Sequence, residues 1–298
     1  MNAGSPGPGP ATPQPSLRAP SLPRPVLISV VTTVRNEERN LPSLLDSLLV
    51  QEPPFEVIVV EAYSDDRTWD IAQDYARRHP EVVRPYRMGG SRGKGRNFGV
   101  EQARGEFIAF IDGDCMAGPH WVEHLRRGAG AGKVVAGRTV LMGYRPFAEL
   151  HRVELHHEGY DVTYPSCNLL YPRDLFRTLQ GFDPRFATAE DIDLNFRAVG
   201  SGARVHYDES AVVYARARDT FFGFFRQAYW NGYGRKQLTL KHGELWSNYS
   251  ARSLIVRYIS FWYLVRLGLG FLGYMVAKVR ERREDFRADD RGAGPHPA

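Results

Sequence analysis

The spacing of apolar positions changes along the chain, and the changes mark its elements. Val26 to Val31 (VLISVV) is an almost continuous apolar run, as expected of a strand buried on both faces. After the polar stretch 32–40, Leu41, Leu44, Leu45, Leu48 and Leu49 recur at helical spacing. Phe55 to Val60 (FEVIVV) predicts a second strand. The polar stretch 61–67 then leads into a helix with Trp69, Ala72 and Ala76 on one face and Asp65 or Asp66 as its cap. Val82 and Val83 mark a third, short strand. Residues 89–95, rich in glycine, predict a flexible loop; a helix follows from about Arg96 to Arg104, and Phe107 to Ile111 is a further strand.

This alternation predicts an α/β protein with a mainly parallel sheet and helices on both faces. Ligands of such sheets bind at the carboxyl ends of the strands, near the point where strand order reverses. The polar, charged segments 32–40, 61–67 and 112–118 are placed there. The second half is less regular. Lys133 to Met142, Ala203 to Tyr207 and Ala211 to Tyr214 read as strands. Phe147 to His157, Ala189 to Val199 and Phe221 to about Lys236 read as helices, with residues 231–236 supplying a mobile basic loop. No internal repeat is present.

Two segments fall outside this pattern. Residues 1–25 carry eight prolines and no apolar core, which predicts a disordered tail and not a secretory leader. Ser253 to Val279 is long enough to span a bilayer, for which about 20 residues are needed. Arg266 interrupts it, and an arginine at a helix centre costs at least about 2.5 kcal/mol in a membrane. The favoured reading is surface or partial insertion, against a plain soluble helical hairpin. Residues 246–284 are therefore set apart as apolar C-terminal helices, and 285–298 as a second disordered tail.

Composition narrows the partners. The chain has 298 residues, 43% hydrophobic and 24% charged, enough for a sizeable core. A net charge of +5 fits an anionic ligand such as a nucleotide diphosphate, or an anionic membrane surface. No basic run is interleaved with stacking aromatics outside the C-terminal part, so nucleic acid is not expected. Cys115 and Cys167 form no Cys-x-x-Cys pair, which indicates a reducing compartment, and Cys115 reads as a small buried filler.

The candidate chemistry centres on Asp112-Gly113-Asp114, directly after an apolar strand. Two carboxylates around a glycine suit a hard divalent cation, Mg²⁺ or Mn²⁺, able to hold a diphosphate. His156 and His157 lack metal-ligand spacing, and His120 and His124, at i, i+4, lack the Glu of a His-Glu-x-x-His order; all four read as solvated or core residues.

The ordered set TTVRNEERN (32–40), VVEAYSDDRT (59–68), GKGRNFGVEQARG (93–105), Asp112-Gly113-Asp114, Gly181-Phe182-Asp183 and Glu190-Asp191 resembles glycosyltransferase family 2 across about Val26 to Tyr214. The resemblance implies a GT-A fold over residues 26–245, with a nucleotide-binding half (26–115) and an acceptor-binding half (116–245). It implies transfer of a sugar from a nucleotide-diphosphate donor, UDP or GDP, with inversion. Thr33, Arg35, Asn36 and Glu37 match the loop around the base. Glu61 stands where an aspartate contacting base and ribose is usual, and Ala62 where a second acid is common. Arg96 and Asn97 match a pair that shapes the nucleotide pocket. Asp112 and Asp114 match the metal motif, with Asp114 the closer ligand. Asp191 matches the general base, with Glu190 orienting it or the acceptor; Asp193 should face elsewhere on the helix.

The sequence also departs from the family pattern. Ala215 stands where a histidine ligand is common, with Arg216 and Arg218 nearby to hold the diphosphate. The Gln-x-x-Arg-Trp pattern of processive synthases is broken at Gln227-Ala228-Tyr229-Trp230-Asn231, which predicts single-sugar transfer. The aromatic residues of that helix read mostly as core, with a lipid or sugar contact as the alternative. The expected acceptor is a lipid phosphate or a glycan, at the cytoplasmic face of a membrane. Two other readings remain at this stage. A sugar-phosphate nucleotidyltransferase would need a glycine-rich loop after the first strand, where the chain has Thr-Thr-Val-Arg-Asn-Glu. A non-catalytic nucleotide-sugar-binding protein would have no need of the three intact aspartates.

Overall fold

The computed structural model describes residues 26–143, 153–216, 220–243, 245 and 261–287. The strands are β1 (Ile28–Val34), β2 (Phe55–Glu61), β3 (Val83–Arg87), β4 (Phe107–Phe110), β5 (Cys115–Ala117), β6 (Lys133–Met142), β7 (His156–His157), β8 (Tyr160–Asp161), β9 (Leu169–Pro172) and β10 (Arg204–Arg216). Eight of them form one sheet in the order β3-β2-β1-β4-β9-β6-β10-β5. β3, β2, β1, β4, β6 and β10 run one way, and β9 and β5 run against them. Strand order reverses between β1 and β4, so the carboxyl ends of those strands form the crevice.

Helices cover both faces because the central strands are apolar on both. α1 (Leu41–Leu49) buries Leu41, Leu44, Leu45 and Leu48 against Val30, Val57 and Val59, with α2 (Thr68–Arg78) beside it. On the other face, α3 (Arg92–Gln102) packs Val100 against Val31, Ile58, Val60 and Phe110. α3 starts four residues earlier than its predicted start, because the Ser91 hydroxyl accepts the Lys94 N–H at 3.4 Å and caps it. Its glycines are contact points, not hinges: a Cβ on Gly99 would lie 2.5 Å from Val31. α4 (Trp121–Gly128), α5 (Arg173–Thr178) and α6 (Glu190–Gly200) follow.

Four expectations are corrected. The segment 112–118 is not all loop, since β5 lies inside it, antiparallel to β10. The predicted helix 147–157 falls partly outside the described residues, and its end is the β7–β8 hairpin. Glu158 and Gly159 turn that hairpin at φ of 47° and 83°. The two strands expected over 203–214 are one strand, β10, bent by a bulge between Asp208 and Val212. Finally, α7 (Phe221–His242) runs straight through the stretch expected to be a mobile loop. Gly232 seats it on α8 (Phe261–Arg280), where a Cβ would fall 1.7 Å from the Gly270 carbonyl oxygen. A short α9 (Glu284–Arg287) ends the described chain. Among the described residues, no helix is long and apolar enough to cross a membrane.

Candidate active site

The loops after β1 and β2 are tied to each other. The Asn36 N–H donates to Ser64 Oγ at 2.9 Å, the Asp65 N–H to Asn36 Oδ1 at 2.9 Å, and the Glu37 N–H to Thr68 Oγ1 at 2.8 Å. Asp66 Oδ1 accepts the Thr68 N–H at 2.9 Å and so holds the first residue of α2, but the N-cap position is Arg67 and not Asp65 or Asp66 as expected. Arg35 is exposed, and Thr33 packs its methyl against Gly95. Glu61 is fully buried. Its carboxylate accepts Arg87 Nε at 2.9 Å and the Ser64 N–H, which commits it to holding the loop. None of Thr33, Arg35, Asn36, Glu37 and Glu61 lines the large cavity described next.

After β4 the chain turns at once. The Ile111 N–H still donates to the Val31 carbonyl at 3.3 Å, and the Cys115 N–H closes a turn onto the Asp112 carbonyl at 3.1 Å. Only glycine fits between the two acids, because a Cβ on Gly113 would lie 2.7 Å from Val34 Cγ1. Asp112 and Asp114 thereby line a cavity of about 950 Å³, together with Glu190 and Asp191 at the start of α6.

Arg96 joins the two sets of acids. It is 2% exposed, and donates to Asp112 Oδ1 at 2.6 Å and to Glu190 Oε1 at 2.8 Å. Burial disfavours its charge, but the charges of Asp112 and Glu190 outweigh burial and push its pKa up. Asn97 points elsewhere: it donates to the Phe182 carbonyl at 2.8 Å and accepts the Phe182 N–H at 2.9 Å. It thus clamps Gly181-Phe182-Asp183 to α3, and Gly181, at φ 67°, has no room for a Cβ beside Asn97 Oδ1.

Asp191 accepts the Ser166 N–H at 3.0 Å on one oxygen and its own Ile192 N–H at 2.9 Å on the other. Burial, followed by the Glu190 charge, pushes its pKa above the usual carboxylate range, against the pull of Ser166 and Arg96. That is the direction suited to a general base. Asp193 does face elsewhere. It is buried among Arg197, Lys241 and His242 at 2.7–2.8 Å. Burial opposes its ionisation, but the His242 hydrogen bond and the Arg197 and Lys241 charges hold its pKa low.

Arg216, at the end of β10, lines the cavity beside Ala215; Arg218 lies outside the described residues. Cys115 and Cys167 are both buried, and Cys167 and burial together push the Cys115 thiol far up, which keeps it protonated. Sequence reasoning did not single out Ser166, Arg92, Arg226 or, as a cavity residue, Arg266, all of which line the same space; Arg235, expected in a mobile basic loop over phosphate, lines it from within α7. The available signals were the polar Pro-Ser-Cys-Asn run before β9 and a lone charge within an apolar helix.

The donor set is compatible with a hard cation. Among the described residues no three His, Cys, Asp or Glu side chains gather to enclose a metal. Asp112 and Asp114 supply oxygen ligands within one turn, at the mouth of a cavity that admits a phosphate ligand. Mg²⁺ and similar ions commonly bind through one or two carboxylates plus substrate phosphates.

The sheet order and the acids at its crevice define an α/β protein of the GT-A type. Residues 29–181, just over half of the chain, match the description "Glycosyl transferase family 2", and residues 107–280 match "Glycosyl transferase family group 2". The chain belongs to glycosyltransferase family 2. It is 29% identical over 211 residues to the uncharacterized glycosyltransferase EpsJ of Bacillus subtilis, covering 63% of this chain and 60% of EpsJ. It is 27% identical over 299 residues to the pre-mycofactocin glycosyltransferase of Mycobacterium tuberculosis, covering 91% of this chain and 60% of that protein. The chain thus spans about three-fifths of the length of these relatives. In structure it is similar to the mannosyltransferase PcManGT from Pyrobaculum calidifontis, solved in complex with GDP-Man and Mn²⁺ (TM-score 0.56, 16% identity, 91% of this chain and 76% of that one). It is also similar to S. aureus TarS 1-349 in complex with UDP (TM-score 0.53, 17% identity, 90% and 93%). At these identities the likeness establishes the fold.

Proposed function

We propose that the protein transfers a single sugar, with inversion, from a UDP- or GDP-linked donor to a hydroxyl of a lipid-linked or glycan acceptor. The observation that carries this reading is that Asp112, Asp114 and Asp191, from distant parts of the chain, line one cavity. Asp191 takes the proton of the acceptor hydroxyl as that oxygen forms its bond to the anomeric carbon. The bond from that carbon to the donor diphosphate breaks, and the nucleoside diphosphate leaves with the electron pair. The Ser166 N–H holds the Asp191 carboxylate in orientation. Arg216 donates to the diphosphate. A Mg²⁺ or Mn²⁺ ion held by Asp112 and Asp114 would offset charge on the departing diphosphate.

Residues 26–115 then form the donor half and 116–245 the acceptor half. The loops after β1 and β2, with Arg35, Asn36 and Glu37, are assigned to the base. Glu61 supports them from beneath through Arg87 and Ser64. The broken pattern at Gln227 to Asn231, four of whose residues line the cavity, supports single transfer. The unbridged cysteines support a cytoplasmic location, and the apolar C-terminal helices a place at the membrane face.

Thermal stability with UDP, GDP, dTDP and CDP, each with and without Mn²⁺, tests this reading. One nucleotide at about 100 times its dissociation constant should add about 2.7 kcal/mol, dependent on Mn²⁺ and lost in Asp114→Ala. If no nucleotide stabilises the folded protein, the reading fails.

A further inference from the structure

The cavity has a second wall, made of helices, that the steps above leave unused. Arg226, Trp230 and Asn231 on α7 and Arg266 on α8 line it. Arg235 lines it as well, and packing fixes its place. A Cβ on the neighbouring Gly234 would meet Thr188 and Ala189 at 2.7–3.0 Å, so this part of α7 lies on the segment leading into Asp191. Arg266 is the only charged residue between Phe261 and Ala277. Arg226 and Arg235, nine residues apart on α7, lie about 180° apart around the helix, and Arg226 shares its side with Phe222. A guanidinium group on a cavity wall suits a phosphoryl group, which it binds through paired N–H donors.

An apolar surface leaves the cavity beside these arginines. Phe222 lines the cavity and is 75% exposed. Phe261, Leu264, Phe271, Leu272 and Met275 are exposed along α8 at spacings of three, seven, one and three, which places them on one face. A patch this extended on two adjacent helices marks a contact with something apolar. It ends in the exposed cations Lys278, Arg280, Arg282 and Arg283, which complement an anionic lipid surface.

The base adds a further constraint. A phosphate oxygen is already ionised near neutral pH, with a second pKa of about 6, and needs no base to attack. A sugar hydroxyl does need one, and Asp191 lines the same cavity as the arginines.

We propose that the acceptor is a sugar carried on a lipid phosphate or diphosphate. Its hydroxyl meets Asp191, its phosphoryl group sits on Arg226, one helical turn from Phe222 on α7, and its hydrocarbon chain runs out along Phe222 and the exposed face of α8. The inference rests on the transfer reading and names its acceptor. In the step, the acceptor O–H bond gives its proton to Asp191 and the new bond to the anomeric carbon forms. The nucleoside diphosphate departs, and the acceptor's own phosphate ester bonds stay intact.

The test compares four acceptor types on the wild-type protein, with the nucleotide sugar whose nucleotide stabilises it. They are farnesyl-diphosphate-linked glucose, galactose and N-acetylglucosamine; neutral farnesyl glycosides of the same sugars; their 1-phosphates without a chain; and farnesyl phosphate without a sugar. The expected result is a kcat/KM for one farnesyl-diphosphate sugar about 10- to 100-fold above its neutral and chainless counterparts. No product should form on farnesyl phosphate. Arg226→Ala should raise KM for the charged acceptor about 10-fold and erase the preference over the neutral one, while Arg226→Lys retains part of it. Equal use of the neutral glycoside overturns the arginine assignment, and equal use of the chainless phosphate overturns the lipid assignment. Product on farnesyl phosphate, or on none of the four, overturns the proposal as a whole. Nucleotide-dependent stabilisation persists in each of these failures and is lost only if the transfer reading itself is wrong.

Discussion

Asp191 and Asp193 are two residues apart on one helix, yet their surroundings drive their pKa values in opposite directions, up for Asp191 and down for Asp193. The ionised Asp191 is the active base, so activity should fall as pH drops through its raised pKa. The acid limb of the kcat/KM profile is expected above the ordinary aspartate value of about 3.9. Asp191→Asn should lower kcat about 10²- to 10⁴-fold in a protein that still melts cooperatively. At Arg96 the expected effect is on stability. Arg96→Met leaves Asp112 and Glu190 without their shared cation and should cost about 3–5 kcal/mol in urea unfolding. Asp112, Asp114, Glu190 and Asp191 were legible in the sequence because each sits in a short motif, and the motifs come in a recognisable order. The bridge through Arg96 was not legible, since its partner Glu190 is 94 residues away and no local spacing encodes that contact. Glu61 is the converse case. Its motif points to the base, whereas the fold places Arg87 and the Ser64 N–H on its carboxylate.

Among the elements, glycine misled in a consistent way. The stretches 89–95 and 231–236 both read as mobile because glycine is a poor helix former. Both are largely helical, because their glycines let a helix lie closely on its neighbour: α3 on β1, and α7 on α8 and on the segment before α6. The packing outweighs a propensity of about 1 kcal/mol per residue. Gly232→Ala, which improves helix propensity, should therefore destabilise the protein by about 1–3 kcal/mol in thermal or urea unfolding. A neutral or stabilising effect would mean that α7 and α8 are not in contact at Gly270. The central strands were legible because a doubly buried strand must be apolar throughout. The bulge in β10 was not, since Asp208 to Ser210 reads as an ordinary break between two strands.

Across the whole molecule, a chain of charges holds α7 to the body of the protein. Lys241 contacts both Asp183 at 2.7 Å and Asp193 at 2.8 Å, and Arg185, Arg197 and His242 complete the set. Burial opposes ionisation of both aspartates, yet their partners hold both pKa values below the unfolded value. The stability they contribute is present above about pH 4 and is lost as pH falls through the folded values. Unfolding followed from pH 7 down to pH 2 should show this loss. Asp193→Asn should remove part of the pH dependence and destabilise the neutral protein by about 3–5 kcal/mol. The same view gives Arg96 a meaning for descent. Asp112, Arg96 and Glu190 are three positions in the sequence but a single heritable character, because loss of Arg96 removes the shared cation of both acids, and loss of either acid removes one of the two charges that hold the buried Arg96. A lineage leaves this arrangement by changing at least two of the three together, so related chains should carry the trio intact or differ from it in concert.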